Sequence, residues 1–146
     1  MSSSLQSLKY SRGSLVVIDQ LKLPHELVYV EIPSAEAAWT AIRTMQVRGA
    51  PLIAIVAALA LAVDVFRAQN GFRSSKEASE YLKDKMTYLR TSRPTAVNLF
   101  VATDELLASV IRLQGETDST ARSVVEGFLN EAEVPSKVML GVVFHA

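Results

Sequence analysis

Fourteen consecutive residues, 50–63, carry no charge and read Ala-Pro-Leu-Ile-Ala-Ile-Val-Ala-Ala-Leu-Ala-Leu-Ala-Val. A helix built from them is apolar nearly all round until Asp64, so it offers no face to water and has to run through the centre of its domain. At 1.5 Å per residue it is about 21 Å long, short of a bilayer core of about 30 Å, which predicts a buried helix and not a membrane span. Pro51 suits the first helical position, where its missing N–H has no partner anyway, and Asn70-Gly71 is a plausible stop.

Upstream the pattern is that of strands. Residues 15–18 and 27–32 are rich in β-branched side chains and are separated by Pro24, with 5–10 as a further short strand. Ser11-Arg12-Gly13-Ser14 predicts the first turn, with Gly13 free to take positive φ. After Pro33 the spacing becomes helical: Ser34 is the N-cap, and Ala35, Ala38, Trp39, Ile42 and Met45 form one inward stripe with Trp39 in the core. Ser74 and Glu77 have the spacing of a capping box for a third helix, with Ala78, Tyr81, Leu82 and Leu89 inward. A fourth helix is predicted over 95–113 and a fifth over 118–130. The expected fold is α+β, a small amino-terminal antiparallel sheet followed by about five helices over 1–130. In the tail, 131–146, the apolar run 138–144 looks like a strand without a partner.

Lys plus Arg equals Asp plus Glu at 15 each, so neither nucleic acid nor an anionic membrane is expected as a partner, and any anion site must be local. No cysteine is present, which excludes disulfides, thiolate metal clusters and a cysteine nucleophile. His25 and His145 lie near opposite ends without a carboxylate cluster, so no metal is expected. The adjacent pair Asp104-Glu105 does not face one ligand on a helix and reads as solvated surface. The first residues lack a secretory signal pattern, so the expected compartment is the cytoplasm, with the nucleus second.

Two helix starts carry arginine beside proline. In Arg48-Gly49-Ala50-Pro51 the free N–H groups and the helix dipole favour an anion, Gly49 lets the backbone approach it, and Arg48 offers a two-oxygen grip. Arg93-Pro94-Thr95 repeats the arrangement. Judged singly, each reads first as an ordinary helix start with a solvated arginine; the pair together outlines a phosphate site. Asn98, among apolar residues one turn further on, reads as a core amide.

Three stretches in order resemble methylthioribose-1-phosphate isomerase: residues 10–15 (Tyr-Ser-Arg-Gly-Ser-Leu) with Asp19-Gln20 and Pro24, residues 41–51 ending Val-Arg-Gly-Ala-Pro, and residues 92–99 (Ser-Arg-Pro-Thr-Ala-Val-Asn-Leu). The wider superfamily, related to translation initiation factor 2B alpha, beta and delta subunits, also contains ribose-1,5-bisphosphate isomerases. The resemblance implies a cofactor-free interconversion of 5-methylthioribose 1-phosphate and 5-methylthioribulose 1-phosphate in methionine salvage. It implies substrate contacts from Arg48, Gly49, Ala50 and Arg93, and no catalytic residue in this chain, because the family's catalytic cysteine and aspartate belong to a Rossmann-like second domain. The expected partners are a phosphorylated methylthiopentose and further copies or full-length subunits of the family. The likeness fades after about residue 130, which a shortened splice form, a truncated gene model or a fragment would each explain.

Overall fold

The structure, a computed structural model, describes residues 7–139 and 144–145. β1 (Leu8–Ser11) and β2 (Ser14–Ile18) make an antiparallel hairpin with Leu8 opposite Val17, and β3 (Tyr29–Glu31) pairs antiparallel with the other edge of β2. Gly13 turns the hairpin at φ 90°, where a Cβ would also lie 3.1 Å from the Phe66 ring. Alternation places Leu8, Tyr10, Leu15 and Val17 on the buried side.

Helices α1 (Ala35–Arg43), α2 (Ala50–Ala68), α3 (Ser75–Arg90), α4 (Val97–Gln114) and α5 (Ala121–Met139) follow, a short 3₁₀ turn closing α2. The antiparallel sheet and five helices are those expected. α2 is the central element, and every residue from Ile55 to Val65 is buried beneath the other four helices and β2. Ser34 caps α1 by accepting from the Ala37 N–H at 3.1 Å. Ser74 caps α3 through the Glu77 N–H, while the Glu77 carboxylate reaches one residue past the predicted box to the Arg73 N–H at 2.8 Å.

Several local expectations are corrected. Asp64, the charge that ends the apolar run, does not turn to water: it is 6% exposed, and its carboxylate accepts from the Ala35 N–H at 2.7 Å and from the Tyr81 hydroxyl. Met45 does not join the α1 stripe, because the chain leaves the helix at Arg43 and Met45 takes φ 66° and is exposed. Trp39 lies at the core margin, stacked on Tyr88 and donating to the Thr91 hydroxyl at 2.9 Å. α5 continues to Met139 through Pro135 instead of ending near residue 130, since its buried stripe of Val125, Phe128 and Leu129 carries on through Ala132. Residues 138–139 are therefore helical, and the strand β4 is only Phe144–His145, parallel to the free edge of β1 with Tyr10 opposite Phe144. The tail run expected to lack a partner thus ends paired with β1, whose outer edge it covers; residues 140–143 lie outside those described.

The hairpin is tied to α5 by polar groups that sequence spacing does not link. Arg12 donates through Nε to Glu133 Oε2 at 3.0 Å, through Nη1 to Glu126 Oε1 at 3.0 Å and through Nη2 to Asn130 Oδ1 at 2.9 Å, while the Tyr10 hydroxyl donates to Glu133 Oε2 at 2.7 Å. Positions 126, 130 and 133 share one helix face, so a single guanidinium spans two turns. Burial first, then the bond to Glu133, raises the Tyr10 pKa well above the ordinary phenol range.

Candidate functional site

The connection between α1 and α2 turns sharply. Val47 is buried, with its N–H on the Ala41 carbonyl at 3.1 Å, and Gly49, at φ 100° and ψ 133°, delivers the chain to the first residue of α2. That left-handed backbone region is open essentially to glycine alone. Pro51 occupies the second helical position, still among the residues whose N–H would lack an intrahelical partner. Gly49 therefore needs no side-chain cap, and the opening amides of α2 stay available.

The second helix start differs from expectation in detail. Ser92 is buried and its hydroxyl bonds the Leu89 carbonyl at 2.6 Å; the Arg93 carbonyl then accepts from the Ala96 N–H at 3.0 Å, so residues 93–96 form a turn. α4 begins at Val97, with Ala96 as its cap. Pro94 thus lies in the turn before the helix and not in its first turn. Asn98 is exposed and is not a core amide, because the buried stripe of α4 runs through Leu99, Thr103, Leu106, Val110 and Leu113 and leaves the preceding position turned away.

The two starts meet. A cavity of about 340 Å³ is lined on one side by Gly49, Ala50 and Ile53 and on the other by Arg93 and residues 95–99. Of the four residues expected to hold substrate, Gly49, Ala50 and Arg93 share this cavity. Arg48 is exposed and is not among its lining residues, so only one of the two arginines faces it. The Arg93 guanidinium also donates through Nη2 to the Ile42 carbonyl at 3.4 Å, which anchors it to the end of α1.

The first residues of two helices line one space together with Arg93, and the free N–H groups and dipole at a helix start favour an anion. Thr95 and Asn98 add a hydroxyl and an amide; Ile53, Ala96, Val97 and Leu99 add an apolar wall. No Asp, Glu, His or Cys lines the cavity, and no group of three metal-ligating side chains occurs among the described residues. The lining can hold an anion with an apolar substituent, but offers no strong general acid, base or nucleophile. His25 is exposed, and Asp104 is spent on an ion pair with Arg90. Asp19 and Gln46, which carry the resemblance without an assigned role in the sequence, hold the first connection from behind through a side-chain bond of 3.0 Å.

Comparison with known proteins adds context to this geometry. Residues 46–137 match the Initiation factor 2 subunit family. Methylthioribose-1-phosphate isomerase of Vitis vinifera is 52% identical over 130 residues, spanning 89% of this chain and 34% of that protein. The enzyme of the same name from Aspergillus clavatus is 46% identical over 133 residues, with 89% and 34% covered. The crystal structure of 5-methylthioribose 1-phosphate isomerase from Pyrococcus horikoshii OT3 superposes with a TM-score of 0.79 at 26% identity, over 90% of this chain and 36% of that one. Translation initiation factor eIF-2B, subunit delta, from A. fulgidus gives 0.75 at 34% identity, over 91% and 37%. The chain spans about a third of the length of the curated relatives it matches.

Proposed function

The chain belongs to the Initiation factor 2 subunit family, and from that premise we propose that it is the amino-terminal part of a methylthioribose-1-phosphate isomerase. The whole protein would interconvert 5-methylthioribose 1-phosphate and 5-methylthioribulose 1-phosphate in L-methionine salvage. This chain contributes one wall of the substrate site and not the chemistry. The observation that carries the reading is the shared cavity, where Gly49, Ala50 and Arg93 converge from two helix starts.

In this role the opening amides of α2 and α4 and the Arg93 guanidinium take the phosphate oxygens, with charge-assisted bonds roughly twice as strong as neutral ones. Arg48, exposed beside the cavity, supplies a second guanidinium from outside it. The apolar wall receives the uncharged end of the sugar. An aldose 1-phosphate cannot open to a free aldehyde, because the phosphate blocks its anomeric oxygen, so the proton transfers need strong acids and bases that this lining does not provide. With no cysteine in the chain, it is catalytically silent alone and works as part of an oligomer or beside full-length family subunits in the cytoplasm or nucleus.

Titrating the purified chain with 5-methylthioribose 1-phosphate while following Trp39 fluorescence tests this. Trp39 bonds Thr91, two residues before Arg93, so binding is expected to give a saturable change that Arg93→Ala abolishes and no ketose product above buffer. Product formation abolished by Arg48→Ala would refute the silence; a flat titration would refute the binding wall.

A second reading is favoured by the identity to the A. fulgidus subunit, higher than that to the P. horikoshii isomerase: a non-catalytic interaction module akin to a translation-factor subunit. Stable association with a full-length family subunit, unaffected by sugar phosphates, would favour it. A ribose-1,5-bisphosphate isomerase-like site would instead bind the bisphosphate more tightly in the same titration.

A further inference from the structure

The anion site proposed above depends on where the backbone of residues 44–49 lies, and two of those six residues take left-handed φ values, Met45 at 66° and Gly49 at 100°. Methionine seldom adopts that conformation, so the connection is in a shape its own sequence does not favour, and contacts from elsewhere have to hold it. They come mainly from one direction. The Gln46 carbonyl accepts from the Gln20 N–H at 2.8 Å, and Gln46 Nε2 donates to Asp19 Oδ2 at 3.0 Å.

Asp19 is 4% exposed. Its second carboxylate oxygen accepts from the Leu21 N–H at 2.9 Å and its own N–H is held by the Val28 carbonyl at 2.8 Å, so the direction of the carboxylate is set without help from Gln46. Burying a carboxylate is unfavourable unless strong hydrogen bonds offset the lost hydration. One of the two it makes crosses 27 positions to a loop side chain. On the far side of the same connection the Arg93 guanidinium holds the Ile42 carbonyl.

We infer that Asp19 is a positioning residue for the anion site: through Gln46 it fixes the connection so that Gly49 turns the opening amides of α2 into the cavity. The inference rests on the function proposed above and extends it to a pair, Asp19 and Gln46, neither of which lines the cavity. Anion affinity then depends on a hydrogen bond behind the site as well as on the groups within it.

Phosphate titrations of the 146-residue chain, followed by NMR at the Gly49 and Ala50 amides, test it with two variants. Gln46→Ala removes the side-chain bond and leaves the Gln20 N–H on the backbone carbonyl. Asp19→Asn keeps the Leu21 acceptor and, with the Gln46 amide turned over, restores the bond with donor and acceptor exchanged. Gln46→Ala is expected to weaken phosphate binding about tenfold, equivalent to about 1.4 kcal/mol, and to shift the Gly49 and Ala50 resonances before any phosphate is added while Leu59 and Leu61 in the middle of α2 stay in place. Asp19→Asn is expected to bind within about threefold of the unaltered chain. Unchanged affinity and unchanged Gly49 resonance in Gln46→Ala would overturn the inference, as would a loss accompanied by equal shifts at Leu59, which marks general loosening. Absence of any phosphate response in the unaltered chain would instead reject the anion site itself, and is distinguishable because the Gly49 resonance of the variant is read without ligand.

Discussion

Replacing Asp64 with alanine should destabilise the fold by about 3 kcal/mol, although the residue touches no ligand site. Its carboxylate accepts from the Ala35 N–H at 2.7 Å, and Ala35 is 0% exposed, so that amide has no water to turn to when the acceptor is removed. A bond from an N–H to a charged group contributes about 1.5–3 kcal/mol. The Tyr81 hydroxyl, the second donor, is half-buried and recovers part of its bond from water, leaving about 0.5–1 kcal/mol. Loss of a negative charge from the start of α1 removes about 0.3–1 kcal/mol more, not fully additive with the rest. For a chain of this length each kcal/mol shifts the melting temperature by about 2–4 °C, so Asp64→Ala should melt about 6–12 °C lower by far-ultraviolet circular dichroism. Asp64→Asn still offers an oxygen to Ala35 and should lose only about 1 kcal/mol. If the alanine variant melts within about 2 °C of the unaltered chain, the carboxylate is not what holds α1, and if both variants lose the same, an uncharged oxygen is no substitute for it.

The tyrosines give a pH test. Burial, followed by bonds to Glu133 and Asp64, raises the pKa values of Tyr10 and Tyr81 above the ordinary phenol range. A phenol whose pKa is higher folded than unfolded stabilises the fold fully below about pH 10, and that contribution is lost as pH climbs through the folded value. Of the four tyrosines, these two should keep their protons until the helices melt, and complete ionisation at 295 nm before any loss of ellipticity would contradict the burial. Separately, Arg12→Lys keeps the charge, but an ammonium cannot serve Glu133, Glu126 and Asn130 together. Allowing for the 33% exposure of the Arg12 side chain, urea unfolding should show a loss of about 1–2 kcal/mol, and no loss would mean that the guanidinium fork is idle.

What the sequence disclosed and what it hid divide along a physical line. Period and punctuation were legible: the apolar run of α2, the serine caps of α1 and α3, and the glycine hairpin turn all depend on residues within a few positions of one another. The matching arginine and proline of the two helix starts point to a shared cavity, though only Arg93 of the two arginines lines it. The exposure of Asn98 is legible in the sequence, since Leu99, Thr103, Leu106, Val110 and Leu113 define the buried stripe of α4 and leave position 98 off it. Arg48 was different. With Gly49 at φ 100°, the direction of the preceding side chain depends on a turn that spacing does not determine. The Arg12–Glu133 and Ala35–Asp64 bonds cross 121 and 29 positions, and no local pattern marks such partners.

Those distant ties also bear on the charge of the cavity. α1 has only nine residues, too few to be stable alone, and polar groups hold both its ends: Asp64 at Ala35, and Arg93 at Ile42 with Asp19 beyond through Gln46. Among the described residues the buried acids are Asp19, Asp64 and Glu133, and each spends its oxygens on a structural bond away from the cavity. In a chain with equal numbers of acids and bases, preference for an anion cannot come from net charge and must come from local segregation. The cavity lining has a guanidinium, two helix starts and no carboxylate. Introducing one at Ala96 would set a negative charge among those groups, so Ala96→Glu should abolish phosphate binding while Ala96→Gln, of the same size, retains part of it. Equal loss in both would show that space, and not charge, governs what the cavity admits.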